Sequence, residues 1–249
     1  MGHGWEGVVL KLMRGRDFTF TVTGTERVTE DFHRVHLTDG GLLAATGGAH
    51  PTMWVRIWFE RNGGGPHQRA YTLVDPDPAA GTFSLEFALH NGAASDWARR
   101  AGPGDTIEAT LQGTGFGLPE PAPARLFVIG DPASLPAINS LLDAVPRTPA
   151  TIWFETTHAS DEKLPFRLDP AHHTLHRVPR RDGGASLVAE VKSALPGLLG
   201  ADPSDAYVWI ACDTATTRTL AAYVRKDLAV AKERVNALGY WRAGRDPVG

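Results

Sequence analysis

Arg69, Tyr71 and Thr72 stand together in one short run, and each side chain offers a different kind of contact. The Arg69 guanidinium is a fork of N–H donors that matches a diphosphate two bonds at a time. The Tyr71 ring is a flat face for a planar heterocycle, and the Thr72 hydroxyl suits that heterocycle's polar edge. Together they read as a cradle for a flavin. Farther along, Phe87-Ala-Leu-His90 leads into Ser95-Asp-Trp97. A helix opening there would aim its free N–H groups at an anionic phosphate. The plainer readings are a surface ion pair for Arg69 and barrel packing for Tyr71.

Gly130-Asp131 and Cys212-Asp213 each follow an apolar run. Glycine has no Cβ and lets another molecule approach the backbone closely, and doubly wound sheets bind ligands at the C-terminal ends of their strands. Each pair is therefore either part of a nicotinamide site or an ordinary strand-to-helix turn, and no Gly-x-Gly-x-x-Gly follows either run. Near the C-terminus, Gly239-Tyr-Trp-Arg242 and Arg245 place two guanidinium groups close together, which attract an anionic ligand.

Other chemistries find less support. His33 and His36 fall on opposite faces of a strand, and His172, His173 and His176 have no nearby Cys or paired carboxylate, so neither group has metal-ligand spacing. Cys212 ends an apolar run and reads as a small buried hydrophobe rather than a thiolate. No Gly-x-Ser-x-Gly elbow points to a hydrolase.

Two kinds of element must position these residues. Up to about residue 115, short β-rich runs alternate with Gly, Pro and Asp clusters: Phe18–Val22, His33–Leu37, Met53–Phe59, Arg69–Leu73, Phe83–Leu89 and Thr106–Thr110. Six strands at this spacing predict an antiparallel barrel, with one short helix at Ala94–Arg100. After the proline-rich stretch Leu118–Pro123 the pattern changes to strands alternating with helices, which predicts a parallel sheet. Its strands are Arg125–Ile129, Thr151–Phe154 and Tyr207–Ala211. Its helices carry apolar residues from Leu135 to Val145, then around Ser186–Leu195, then from a Thr214 cap to about Leu228. The expected domains are residues 1–117, a β-barrel, and 118–249, an α/β unit.

The chain has 249 residues, 42% of them hydrophobic, enough to bury a core. Its net charge is −3 and it has no basic run, which argues against nucleic acid or an anionic membrane as partner. No stretch has the length of a signal peptide core or a membrane span, so the expected location is the cytoplasm. A single cysteine excludes an internal disulfide and a cysteine-held iron–sulfur cluster. Electron transfer by this chain would need an organic cofactor.

The Arg-x-Tyr-Thr box resembles that of ferredoxin-reductase-like flavoproteins. Thr29–Leu37, Pro103-Gly-Asp105, Gly130–Ile138 and Gly239–Arg242 narrow the resemblance to siderophore-interacting proteins, the FAD-containing ferric-siderophore reductases. The resemblance implies an FAD-binding barrel followed by an NAD(P)H-binding-like domain with a C-terminal siderophore pocket. It implies FAD contacts from Arg69, Tyr71, Thr72, Leu89, His90, Ala94, Ser95 and Trp97, with Gly130, Asp131 and Ser134 on the nicotinamide side. Arg242 and Arg245 would bind the ferric siderophore, and the electron donor would be NADH, NADPH or ferredoxin. This chain departs from the family pattern in a shorter His90–Trp97 loop, with Ala94 where Pro-Ala is common.

Overall fold

The computed structural model describes residues 16–61, 64–111 and 114–242. The chain divides into two compact units between Phe116 and Gly117.

The first unit is built from strands β1 (Arg16–Thr29), β2 (Phe32–Thr38), β3 (Trp54–Arg61), β4 (Gly64–Thr72), β5 (Val74–Asp77), β6 (Thr82–Ala88) and β7 (Thr106–Leu111). Helix α1 (Leu42–Thr46) follows β2, and helix α2 (Ala93–Arg100) precedes β7. The strands form one antiparallel sheet in the order β4-β3-β7-β1-β2-β6-β5, curled into a half-barrel. Alternation builds its core, because side chains two residues apart share a face of a strand. Phe20 and Val22, Val35 and Leu37, Val55, Ile57 and Phe59, and Phe83, Leu85 and Phe87 are all buried in one cluster.

The sheet has seven strands, not the expected six. The additional strand is β5, whose sequence Val-Asp-Pro-Asp has turn composition. It is a strand because it lies at the sheet edge, where the missing N–H of Pro76 breaks no ladder.

The second unit alternates β8 (Arg125–Gly130), α3 (Leu135–Ala144), β9 (Ala150–Thr156), β10 (His173–Pro179), α4 (Ala185–Leu199), β11 (Ala206–Ala211), α5 (Thr214–Lys226) and β12 (Val235–Ala237). All pairings are parallel, in the order β10-β9-β8-β11-β12. The chain builds outward from β8 in one direction, then returns to the other side of β8 through β11. The C-terminal ends of β8 and β11 therefore flank the point where the order reverses, the place in such sheets where a crevice opens. β11 is apolar along its whole length and every residue of it is buried, as in a parallel sheet covered by helices on both faces.

Among the described residues, no helix is long and apolar enough to cross a membrane.

Candidate functional site

The antiparallel unit brings the first set of singled-out residues together through one aromatic cluster. Tyr71, near the end of β4, lies 4.5 Å from Phe87 and 5.9 Å from Phe59, ring centre to ring centre. Trp97 of α2 lies 5.8 Å from Phe87 and 5.9 Å from Phe59. Phe59 and Phe87 are buried in the core, whereas Tyr71 and Trp97 are half-buried and close its rim. Burial pushes the Tyr71 phenol above its ordinary value, the Arg69 cation opposing. Arg69 is half-buried beside Tyr71, its Nη1 donating to the Gln68 carbonyl at 2.7 Å, and Thr72 is buried.

The segment after β6 turns tightly into α2. The Ser95 hydroxyl accepts from the His90 N–H at 3.0 Å, while the exposed His90 ring bonds the Asn91 carbonyl. Leu89 is half-buried, and its N–H donates to the Asp31 carbonyl at 2.8 Å. Ala94 is 6% exposed and packs into the core. The cap of α2 is Gly92, at φ 152°, and it makes no side-chain capping bond. A helix start leaves its first N–H groups without intrahelical partners, so α2 retains the donor set and positive end that an anion requires. The guanidinium, the rim of aromatic rings and this helix start fit a dinucleotide flavin.

The parallel unit contrasts with this. Gly130 ends β8, and a Cβ there would lie 2.4 Å from Ser134 Oγ and 2.6 Å from Ile138 Cδ1. The glycine lets α3 pack against the strand. Asp131, 2% exposed, caps the short 3₁₀ turn Pro132–Ser134: its Oδ1 accepts from the Ala133 N–H at 3.0 Å. The Ser134 hydroxyl is wholly buried and bonds back to the Asp131 backbone. Asp213, also 2% exposed, caps α5 by accepting from the N–H groups of Ala215 and Thr216 at 3.0 and 3.1 Å. The cap is thus Asp213 rather than the expected Thr214, whose hydroxyl instead donates to the Trp241 carbonyl at 2.8 Å.

Around these two aspartates lie residues for which the sequence reading assigned no role. Glu155, 1% exposed on β9, forms an ion pair with Arg180, which follows β10, and one of its oxygens, Oε1, has no hydrogen-bond partner. Arg180 also reaches Asp213 at 3.3 Å, and its Cζ lies 4.9 Å from the centre of the Trp241 ring. The Trp241 indole N–H donates to Asp131 Oδ2 at 2.7 Å. Burial pushes the Asp131 carboxyl up to about 7, the Trp241 bond opposing and the Glu155 and Asp213 carboxylates reinforcing. Two signals lay in the sequence: Trp241 within the Gly239–Arg242 block, and Glu155 as a charged residue in a mostly apolar run. Cys212 is fully buried, and burial pushes its thiol up, as the sequence reading expects of a small hydrophobe. Arg242 is exposed, and Arg245 lies outside the described residues.

Two family models match this chain: a siderophore-interacting FAD-binding domain over residues 52–111, and siderophore-interacting protein over residues 123–244. The mycobactin import ATP-binding/permease protein IrtA of Mycobacterium tuberculosis is 34% identical over 98% of the chain. The chain spans 28% of the length of that relative. Among solved structures, the siderophore-interacting protein SipS from Aeromonas hydrophila has a TM-score of 0.78 at 23% identity, covering 93% of this chain and 94% of that one. A ferredoxin-NADP+ reductase from Plasmodium falciparum, solved with 2'P-AMP, has a TM-score of 0.68 at 12% identity, covering 90% and 97%. These structural likenesses establish the two-part fold.

Proposed function

The chain belongs to the siderophore-interacting protein family, and from that premise we propose that it is an FAD-dependent reductase of ferric siderophores. The observation that carries the reading is the join between the Arg69-Ala-Tyr-Thr72 box and the start of α2 through the cluster of Phe59, Tyr71, Phe87 and Trp97. Arg69 and the first N–H groups of α2 hold the diphosphate, with His90, Ala94 and Ser95 shaping the loop around it. Tyr71 and Trp97 present ring faces, Thr72 a hydroxyl, and Leu89 an apolar contact. FAD, when bound, supplies the conversion of a two-electron donor into single-electron steps. In the balanced reaction one hydride equivalent reduces two Fe(III) to two Fe(II) and releases one proton. Fe(II) is the softer ion and is held far less well by hard oxygen chelators, so reduction frees the metal.

No side chain of this chain needs to act as an acid or base. The N-terminal unit is the FAD-binding domain, and the C-terminal unit is the donor domain, with Gly130, Asp131 and Ser134 on its donor side. Arg242, together with Arg245, draws in the anionic ferric chelate. NADPH, NADH or reduced ferredoxin serves as donor. The similarity to part of a mycobactin import protein supports a cytoplasmic reaction on a siderophore that has just been taken up.

Purified protein should be yellow and release FAD, identified by mass. Under anaerobic conditions the flavin absorbance should bleach with the true donor and return when a ferric siderophore is added, with Fe(II) trapped by a colorimetric chelator. Bleaching by a donor without recovery by any ferric chelate would leave a flavin reductase with another acceptor. Absence of flavin would leave a siderophore-binding protein.

A further inference from the structure

In the antiparallel unit, β3 and β7 pair at two positions only, Arg56 with Thr110 and Ile57 with Ala109. Both strands extend past that point, β3 on to Arg61 and β7 back to Thr106, and each is held there by its other neighbour: Trp58 pairs with Gln68 of β4, and Glu108 with Thr19 of β1. Where β3 and β7 part, a cavity of about 800 Å³ opens in the side of the half-barrel. Buried Phe59, Ile107 and Ala109 give it an apolar floor, with Trp97 of α2 at one wall. Three exposed carboxylates, Asp17, Glu60 and Glu108, stand at its rim against one guanidinium, that of Arg100. The rim is ordered. The Trp58 indole N–H donates to the Thr110 hydroxyl at 3.0 Å, that hydroxyl donates to Asp17 at 2.6 Å, and the Thr19 hydroxyl donates to Glu108 at 2.8 Å.

Two strands that diverge around a cavity leave the place of a strand between them, and an open strand edge is a template for another extended segment. Along β7, Thr106–Ala109 measures about 13 Å at about 3.3 Å per residue, which suits an occupant of about four to six residues. Its side chains must be apolar toward the floor and basic toward the rim. The three carboxylates refuse an anion, so this cavity is not where a diphosphate sits.

We propose that the opening between β3 and β7 is a docking slot for the chain's own segment Val8–Arg14, which lies outside the described residues. That segment leads through Gly15 into β1 at Arg16, next to Asp17 on the rim. In an extended chain Val8, Leu10 and Leu12 share one side, Lys11 and Arg14 supply two cations, and no carboxylate falls between Gly7 and Arg16. The tether keeps the segment at high effective concentration beside the slot, so modest contacts suffice to hold it. The inference stands apart from the reductase reading.

Amide hydrogen exchange of the full chain, followed by NMR, tests it. In the parent, Leu10–Met13 should exchange about tenfold or more slowly than the same residues in a free Val8–Arg14 peptide. The double variant Leu10→Asp with Leu12→Asp sets two carboxylates against the apolar floor. It should return the segment to the free-peptide rate and speed exchange within Trp58–Arg61 and Thr106–Ala109. Glu60→Lys, a surface change, should cut the segment's protection severalfold at low salt. Free-peptide rates in the parent would overturn the proposal, as would protection that neither variant alters. Protection that grows with protein concentration, alongside a dimer in sedimentation, would give the slot to a second copy and overturn it too. If the double variant does not fold, Glu60→Lys and the parent's own rates decide.

Discussion

Helix α2 of the antiparallel unit begins in the opposite way to helix α5, and to the 3₁₀ turn before α3, in the parallel unit. α2 starts at Gly92 with no side chain closing it, whereas the 3₁₀ turn leading into α3 is closed by Asp131 and α5 is closed by Asp213, both buried. A side-chain cap stabilises a helix by about 1 kcal/mol, so an open start forgoes that stability and keeps its donors for something else. An anion belongs to the first kind of helix start and is refused by the second. That difference is why the proposed diphosphate contact lies at α2, while the starts capped by Asp131 and Asp213 have their first N–H groups already taken.

The largest expected effect bears on the closed side. Asp131 ordinarily titrates near 3.8 and is pushed up to about 7 in the fold. Between those values the folded chain binds a proton that the unfolded chain releases, so the contribution of Asp131 to stability is fully present below about pH 4 and is lost as pH rises through about 7. Each pH unit of that difference is worth about 1.4 kcal/mol. Asp131→Asn keeps an oxygen for a hydrogen bond without the charge. Denaturant unfolding at intervals from pH 4 to pH 8 should show it gaining on the parent by a few kcal/mol across that window; parallel curves would mean that Asp131 is already ionised in the fold.

On the open side, Arg69→Ala removes a charge-assisted contact worth about 1.5–3 kcal/mol and should lower FAD affinity roughly ten- to a hundredfold. Dilution followed by fluorescence of released flavin measures it, and full retention would take the diphosphate away from Arg69. Gly130→Val then separates a packing role from a donor-approach role. The crowding at Ser134 and Ile138 should lower stability by about 1–3 kcal/mol, seen in thermal unfolding of protein that has never met a nicotinamide. A variant as stable as the parent, yet slow only with NAD(P)H, would restore the donor-approach role.

A smaller effect transplants the closed arrangement onto the open helix. Ala93→Asp adds a carboxylate to the first turn of α2, where Asp96 is already paired with Arg99, and should stabilise flavin-free protein by about 0.3–1 kcal/mol and weaken FAD binding severalfold. Stabilisation with undiminished FAD affinity would remove α2 from the phosphate site. Smallest of all, Arg242→Ala should raise KM for an anionic ferric siderophore without loss of FAD. The difference should shrink at high salt, where screening already weakens steering in the parent. Unchanged kinetics with anionic and neutral chelates alike would end the role of that arginine.

The two regions were not equally legible in the sequence. Apolar alternation located six of the seven antiparallel strands and a helix one residue shorter than α2, because periodicity is a local property. β5 escaped because Asp-Pro-Asp has turn chemistry and only its edge position makes it a strand. β12 escaped because three residues carry no period. The Arg69–Thr72 box was visible as a run of chemically distinct side chains. The cluster around Asp131 was not, since Asp131 and Trp241 are 110 residues apart and no spacing rule joins them. Gly130 was noticed for its missing Cβ, but the neighbours it accommodates are set by the packing of α3 on β8. Thr214 and Asp213 are both good capping types; which one caps depends on a partner, the Trp241 carbonyl, that lies 27 residues farther on.

β5 has a consequence for how copies of this chain meet one another. A strand at the margin of a sheet is a template on which a neighbouring molecule can add its own strand, the usual first step toward aggregation. Here that margin consists of Val74, Asp75, Pro76 and Asp77, with both aspartates exposed. One residue has no N–H to donate, and two others would set like charges against those of an approaching copy. The four residues that look least like a strand therefore finish the sheet on that side and oppose its growth there.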